Sequence, residues 1–578
     1  MKKLLLLGGI TMSFLGASFQ MNAQMRYMDE IFTSSDIVIV KNVTYGTNVD
    51  FLKNTQLLDP TYLTTNQADI ITEMTILKTA YQTGTQIPVT YYTPFALDPS
   101  TKVKVSDMKM DVYYPDMSKD TMTERPVILY VHTGNFLPTG INGGPTGSKE
   151  DSSAVELCKQ WAKRGYVAIA ANYRHGWNPA AGGATGGLIR RATLLNAVYR
   201  AIHDMKQVVR FVKEEAGNSN TYGINVDKIA LYGQGSGGYV SLAYNTLDKS
   251  SEMALPKFSF PGGGGSFINE AVVGGIAGED GLLNMYYSNG ETTGIQTCIN
   301  AGGALADISW LEGNIEAPMI SIHAIRDQFA PFDTGTVIVP TTNEDVVDVN
   351  GPNMFIPKAV SLGINDAFKD LQLTDPYTTS ARSKYGQTFT NIPIINVNDP
   401  VIIDANAEGL FPIDFAFGNG APWEWWSLTD LTNYIAALNA ATGGSYDATT
   451  IHGNALASNP TMSKTQALSY IDTIQGYIHP RIMVAMEIGN WETVSVNEVP
   501  VNNVFTIAPN PASELVNITS LAGNITNVTI YDVSGKVVYT ENTNVPMHSI
   551  NVGNLQHGIY FVKVASTIGE KIEKLVIQ

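Results

Sequence analysis

Six residues, Gly233-Gln234-Gly235-Ser236-Gly237-Gly238, follow the apolar run Ile229-Ala230-Leu231-Tyr232 and lead into Tyr239-Val240-Ser241-Leu242. Glycine at this density lets a chain turn sharply from a strand into a helix, and Ser236 places a hydroxyl on the turn. A serine hydroxyl becomes a useful nucleophile when a neighbouring base takes its proton and a carboxylate orients that base. Asp327 stands just beyond the apolar run Met319 to Ile322, where an aspartate is an ordinary turn cap. Eight histidines are available as bases. The glycine-rich turn also satisfies G-x-G-x-x-G, the dinucleotide fingerprint, but that motif opens the first strand–helix unit of its fold, and several units precede it here. The sequence has no H-E-x-x-H, no C-x-x-C pair and no phosphate-loop lysine, so neither a metal nor a cofactor is expected.

The elements that must position these residues alternate along the chain. Val127 to His132 is a continuous apolar run, as a buried parallel strand requires. Val167 to Ala171 is a second, preceded by a helix over Ala154 to Lys163. Leu195 to Ala216 spaces Val198, Ile202, Met205, Val209 and Val212 along one helical face, and Ile229 to Tyr232 and Met319 to Ile322 are further strands. Strands joined by crossover helices predict an α/β fold with a mostly parallel sheet covered on both faces. Residues 25–100 read as an N-terminal extension leading into the first, antiparallel, strands. Residues 101–495 read as the main domain, with insertions or a lid at about 333–446, where the rhythm breaks.

The chain of 578 residues exceeds what one hydrophobic core usually holds, so two domains are expected. A hydrophobic content of 44% with 15% charged residues argues for globular folding. The net charge of −17 argues against nucleic-acid binding, because nothing would offset the phosphates. Lys2 and Lys3, the apolar run Leu4 to Phe19 and the small and polar residues at Asn22, Ala23 and Gln24 predict a signal peptide over residues 1–24. No later run is long and apolar enough to span a membrane, so no transmembrane segment is expected in the mature protein. Cys158 and Cys298, the only two cysteines, allow one disulfide or two buried thiols.

Around the turn the sequence resembles the carboxylesterase and lipase branch of the α/β-hydrolase superfamily. The resemblance is carried by Pro126-Val127-Ile128-Leu129-Tyr130-Val131-His132-Thr133-Gly134-Asn135-Phe136, by Arg164-Gly165-Tyr166-Val167 with Asn172-Tyr173-Arg174, and by Asp204. Pro318-Met319-Ile320-Ser321-Ile322-His323 followed by Asp327 completes it. In that superfamily the nucleophile stands in G-x-S-x-G. The resemblance implies that Gly233 and Gly237 are the flanking glycines and that Gly235 stands where the serine belongs. It also implies oxyanion-hole amides near Thr133, Gly134 and Gly237, and the triad acid at Asp327. The triad order on this fold is serine, acid, histidine, which leaves His452 and His479 as bases outside the C-terminal module. His479, before Pro480 in an apolar stretch, fits a core or capping role, and His452 is expected in a polar loop before a helix starting near Ser463. The stretch Gly418-Asn419-Gly420-Ala421-Pro422-Trp423, the nearest counterpart of a Gly-His-x-Pro-Trp-like segment, holds no histidine. Trp423, Trp425 and Trp426 with Glu424 would offer a platform for sugars or lipids if exposed, and a buried aromatic cluster otherwise.

From Asn503 the pattern becomes short alternating strands separated by Gly, Asn and Ser. Residues 503–578 resemble the C-terminal sorting domain that Bacteroidetes-type bacteria use for type IX secretion. The motifs are Pro509-Asn510-Pro511, Ile530-Tyr531-Asp532-Val533-Ser534-Gly535-Lys536, Leu555-Gln556-His557-Gly558-Ile559-Tyr560-Phe561-Val562-Lys563-Val564 and Lys574-Leu575-Val576-Ile577. The implied partner is the type IX secretion machinery, and the implied location is outside the cell or on the outer-membrane surface. Three functions follow as expectations. The first is a degenerate hydrolase that keeps its pocket for a small-molecule, ester or glycan ligand. The second is an active serine esterase using displaced Ser236 with Asp327 and His452. The third is a surface adhesin.

Overall fold

Uncharged, largely β-branched or aromatic residues in Val127-Ile128-Leu129-Tyr130-Val131 suit a strand that is covered on both faces, and such strands build the centre of the molecule. The computed structural model describes residues 25–578 except 314, 339–343, 370, 372, 391–399, 416, 491–504, 521–523, 533–535 and 567–568. The expected signal peptide, residues 1–24, therefore lies outside the described residues.

In chain order the sheet contains β1 (Ile37–Val49), β2 (Val105–Pro115), β3 (Arg125–Val131), β4 (Val167–Ala171), β5 (Ile224–Gln234), β6 (Thr297–Ala301) and β7 (Met319–Ala324). A separate hairpin of β8 (Thr334–Ile338) and β9 (Asp345–Asn350) precedes the eighth strand, β10 (Leu410–Ile413). The sheet order is β1-β2-β4-β3-β5-β6-β7-β10. The pairings β1/β2 and β2/β4 are antiparallel, and every pairing from β4 to β10 is parallel. The early strands are thus antiparallel as expected. β10 is a difference: it falls in the stretch read as inserted, yet it is the sheet edge beside β7. Four residues including Pro412 give too short a period to read, and an edge is where a strand tolerates proline.

The helices that cover the sheet are α1 (Gln67–Thr83), α2 (Ser152–Lys163), α3 (Gly186–Asn218), α4 (Ser236–Thr246), α5 (Leu428–Thr442), α6 (Ala448–Ser458) and α7 (Lys464–Met486), together with shorter ones. Side chains alternate across β3 with period two. Val127, Leu129 and Val131 enter one core with Ile202, Met205 and Val209 of α3 and Val240 and Leu242 of α4. Ile128 and Tyr130 enter the other with Leu157 and Trp161 of α2 and Ile474 and Ile478 of α7. Cys298 belongs to the first core and Cys158 to the second, so the sheet separates them and both are free, buried thiols. α1 packs on its own small core with Val49, Phe51, Val105 and Met285.

Beyond β4, Arg174 Nε donates to Asp204 Oδ1 of α3 at 2.8 Å and its backbone N–H donates to Oδ2 at 2.6 Å. Tyr286 also donates to Oδ1, at 2.9 Å, so this buried carboxylate is compensated from three directions. The pair ties the loop after β4 to α3.

The C-terminal strands form a three-stranded sheet (Phe505–Ala508, Leu515–Ser520, Met547–Asn551) and a four-stranded one (Val537–Val545, Ile525–Asp532, Gly558–Ser566, Gly569–Ile577), all antiparallel. Val516, Ile518, Val528, Ile530, Val562 and Leu575 fill their shared core. Among the described residues no helix is long and apolar enough to cross a membrane.

Candidate active site

β5 ends at Gln234 and α4 begins at Ser236, so Gly235 alone makes the turn, with φ +55° and ψ −119°. That backbone conformation is strained for any residue with a side chain. Its N–H donates to Ala301 O of β6 at 2.8 Å, which fixes the turn against the sheet. Gly233 and Gly237 pack so closely that a Cβ on the first would enter the Gly237 backbone, and one on the second would enter Val131 O. The turn has the geometry of a nucleophile elbow, with glycine at its apex.

The loop between β3 and α2 comes down onto this turn. Asn135 N–H donates to Ser236 Oγ at 3.1 Å, and the loop is braced by Trp177 Nε1 donating to Asn135 O at 2.8 Å. An elbow at the end of a sheet strand and an amide delivered by the β3 loop, on this strand order, decide the fold. The body of the chain is an α/β-hydrolase fold.

Within this hydrolase fold the expected site residues divide. Ser236 and Asp327 line one cavity of about 300 Å³, together with Thr133 and Gly235. Thr133 contributes its side chain: its hydroxyl fills the space above Gly235 that a Cβ on that residue would enter. Gly134 packs on Gly147 and Gly237 on Val131. His452 lies inside α6, not in a loop, and its Nδ1 accepts from Trp426 Nε1 at 3.0 Å in a small separate cluster with Ile451 and Leu431. It is not in the cavity wall. His479 is buried in α7, with Nδ1 3.3 Å from the Tyr166 hydroxyl, and burial holds it well below the usual imidazole range. It is therefore a core residue. Trp423 is fully buried, so the tryptophans do not form an open platform.

Asp327 Oδ1 accepts from the amides of Phe329 at 2.7 Å and Ala330 at 3.1 Å, and its Oδ2 is 3.5 Å from His323 Nε2. Burial pushes this carboxyl up to about 7, outweighing the two amides. His323 Nε2 is 2.9 Å from Ala330 O, and burial brings this imidazole down to about 4, so it is neutral near pH 7. The loop over residues 418–424 presses on Asp327 with backbone alone: a Cβ on Gly420 would overlap the carboxylate.

Two groups were less visible in the sequence. Glu424, named there only beside the tryptophans, lines the cavity. Its Oε1 accepts from Gln234 Nε2 at 2.6 Å, Gln234 Oε1 accepts from Tyr130 at 2.9 Å, and burial pushes the Glu424 carboxyl up to about 7. Asp151, raised to about 8 by burial and then by the charge of Glu424, caps the loop amides of Gly147 and Ser148 nearby. Asn135 is the other, since its amide rather than that of Gly134 reaches Ser236. Most of the rest of the wall is apolar, with Leu194, Val198, Phe258 and Trp310 and with Val347 and Val349 of the β8–β9 hairpin, and Tyr199, Tyr239 and Asn419 add polar groups to it. The expected lid region thus supplies part of the cavity. Among the described residues no cluster of His, Cys, Asp and Glu is arranged to hold a metal ion.

Residues 506–578 match the secretion system C-terminal sorting domain. No curated protein matches the chain. Among solved structures, an α/β-hydrolase enzyme, MGS-M1, from a Medee basin deep-sea metagenome library is similar at 13% identity, over 39% of this chain and 66% of that one, with a TM-score of 0.22. This chain therefore spans just under two thirds of that enzyme's length. Esterase Est2 of Thermogutta terrifontis is similar at 18% identity, over 39% of this chain and 70% of that one, with a TM-score of 0.23. PorZ, a surface component of the type-IX secretion system of Porphyromonas gingivalis, is similar at 20% identity, over 14% of this chain and 13% of that one, with a TM-score of 0.12.

Proposed function

We propose that this secreted hydrolase-fold protein binds a ligand in its apolar cavity and has lost serine-hydrolase chemistry. The observation that carries the reading is Gly235 at the apex of the elbow, under the Thr133 hydroxyl. Losing the nucleophile or the base of a triad costs about a millionfold in turnover. Here glycine also stands against the acid where the base would be expected. Export through the type IX route would place the cavity at the cell surface or in the medium.

The active-esterase reading rests on Ser236, which lines the cavity and accepts an amide hydrogen bond. Its hydroxyl also lies 3.4 Å from that of Tyr173, and a buried phenol does not take a proton at neutral pH. Among the described residues no histidine or carboxylate is hydrogen-bonded to Ser236, so its hydroxyl lacks an activating base. The test is a fluorophosphonate probe and a short acyl ester applied to the purified mature chain. No labelling and no turnover above buffer are expected. Labelling that disappears in Ser236→Ala would overturn the proposal in favour of an active enzyme.

A further inference from the structure

A second hollow shares no lining residue with the cavity at the elbow. It has a volume of about 230 Å³ between β1, α1, α3 and the segment before β6, and its wall includes Gly46, Tyr81, Gln207, Glu214, Tyr287 and Asn289. Contacts hold these groups beside one another. The Tyr81 and Tyr287 rings meet edge to face with centroids 5.8 Å apart. Asn289 Nδ2 donates to Glu214 Oε2 at 3.2 Å, which ties the segment before β6 to α3. A Cβ on Gly46 would stand 3.2 Å from the Tyr81 hydroxyl and 3.4 Å from Gln207 Cγ, so the missing side chain is part of what leaves this space open. Burial, and then the charges of Tyr287 and Glu214, push the Tyr81 phenol up to about 12, so it keeps its proton at neutral pH.

We infer that this hollow binds one neutral pyranose ring, its C–H face on Tyr287 and its hydroxyls among Tyr81, Gln207 and Glu214. Tyr287 is 39% exposed, so its ring is open to a ligand. Among the described residues nothing is hydrogen-bonded to Glu214 Oε1, to Gln207 Oε1 or to the Tyr287 hydroxyl, so carboxylate, amide and phenol oxygens are all available. Each sugar hydroxyl both donates and accepts, which suits such a mixture, and the ring's C–H face suits an aromatic side chain. Charge argues for a neutral ligand. Glu214 in the wall opposes an anion, and Lys109 Nζ, which donates to the wall residue Thr44, opposes a cation. A volume of about 230 Å³ is below the usual range of drug-sized pockets and suits a single ring. The assignment holds whether or not the cavity at the elbow binds anything.

The experiment is a saturation-transfer NMR titration of the full mature chain with the methyl glycosides of glucose, galactose and mannose, with glucuronate and tetramethylammonium as charged probes. At least one of the three glycosides should bind with a Kd of about 1–10 mM. Glucuronate and tetramethylammonium should bind about tenfold more weakly or not at all. Tyr287→Ala should weaken the bound glycoside by about tenfold, and Tyr287→Phe, which keeps the ring face, should retain most of the affinity. Gln207→Ala, on a different element, should weaken the same glycoside, so the location does not depend on one variant folding. Binding of none of the three glycosides would overturn the proposal, as would glycoside binding that neither Tyr287→Ala nor Gln207→Ala alters. Tetramethylammonium binding more tightly than every glycoside would replace it with a cation site.

Discussion

The Thr133 hydroxyl occupies the volume that a Cβ on Gly235 would enter, and the Thr133 Cβ lies 2.9 Å from the same point. The two residues are mutually accommodated: a glycine at the apex allows a threonine above it. Restoring serine at the apex is therefore more than adding a hydroxyl. Gly235→Ser should destabilise the body by about 2–6 kcal/mol, from backbone strain at positive φ and from overpacking. Thr133→Ala in the same chain should recover about 1–3 kcal/mol of it, a coupling that a double-mutant cycle on urea midpoints reads directly. Additive effects would mean that the two side chains do not compete for this space.

Ser236 braces the loop after β3. Its Oγ satisfies the Asn135 amide, so Ser236→Ala should lower stability by about 1–2 kcal/mol through the donor it leaves unpaired. Ester turnover and fluorophosphonate signal should stay at background in both proteins. Thermal melts and the probe assay on the same preparation separate the two effects.

The C-terminal module has its own core, with Val516, Val528, Val562 and Leu575 packed together and none of them in the cores of the body. A chain cut after residue 490 should keep the urea midpoint of the body and accumulate in the periplasm of a type IX-competent host instead of reaching the surface. Fractionation and immunoblotting check this, and surface display of the cut chain would show that residues 506–578 are not what directs export.

How much of this was legible in the sequence depended on the range of the interaction. β4, Val167–Ala171, is an uncharged apolar run bounded by a glycine turn, and its limits could be read directly. α6 could not: Asp447-Ala448-Thr449-Thr450 looks like loop sequence, yet Asp447 accepts from Thr450 N–H and caps a helix that carries His452. Gly235 was legible because the elbow pattern is local. Thr133 above it, Gly420 on Asp327, and Gln234 bonded to Glu424 across 190 residues of sequence are tertiary contacts, and no local period encodes them. β10 was missed for the opposite reason, being too short to show any period.

The raised carboxyls give the body a pH dependence of definite sign. Burial holds Asp327 and Glu424 near about 7, and burial with the charge of Glu424 holds Asp151 near about 8, whereas an unfolded carboxyl titrates near about 4. The folded state therefore binds more protons than the unfolded state between these limits. The favourable state of these groups is complete below about pH 4 and is lost as pH rises through about 7 to 8. Asp327→Asn keeps an acceptor for the Phe329 and Ala330 amides and cannot ionise. Relative to wild type, the variant should gain stability as pH rises from about 4 to about 8, by an amount on the order of a few kcal/mol. Urea midpoints of the two proteins at both ends of that window measure it. A stability difference that stays constant across the window would show that Asp327 ionises in the fold as readily as in water.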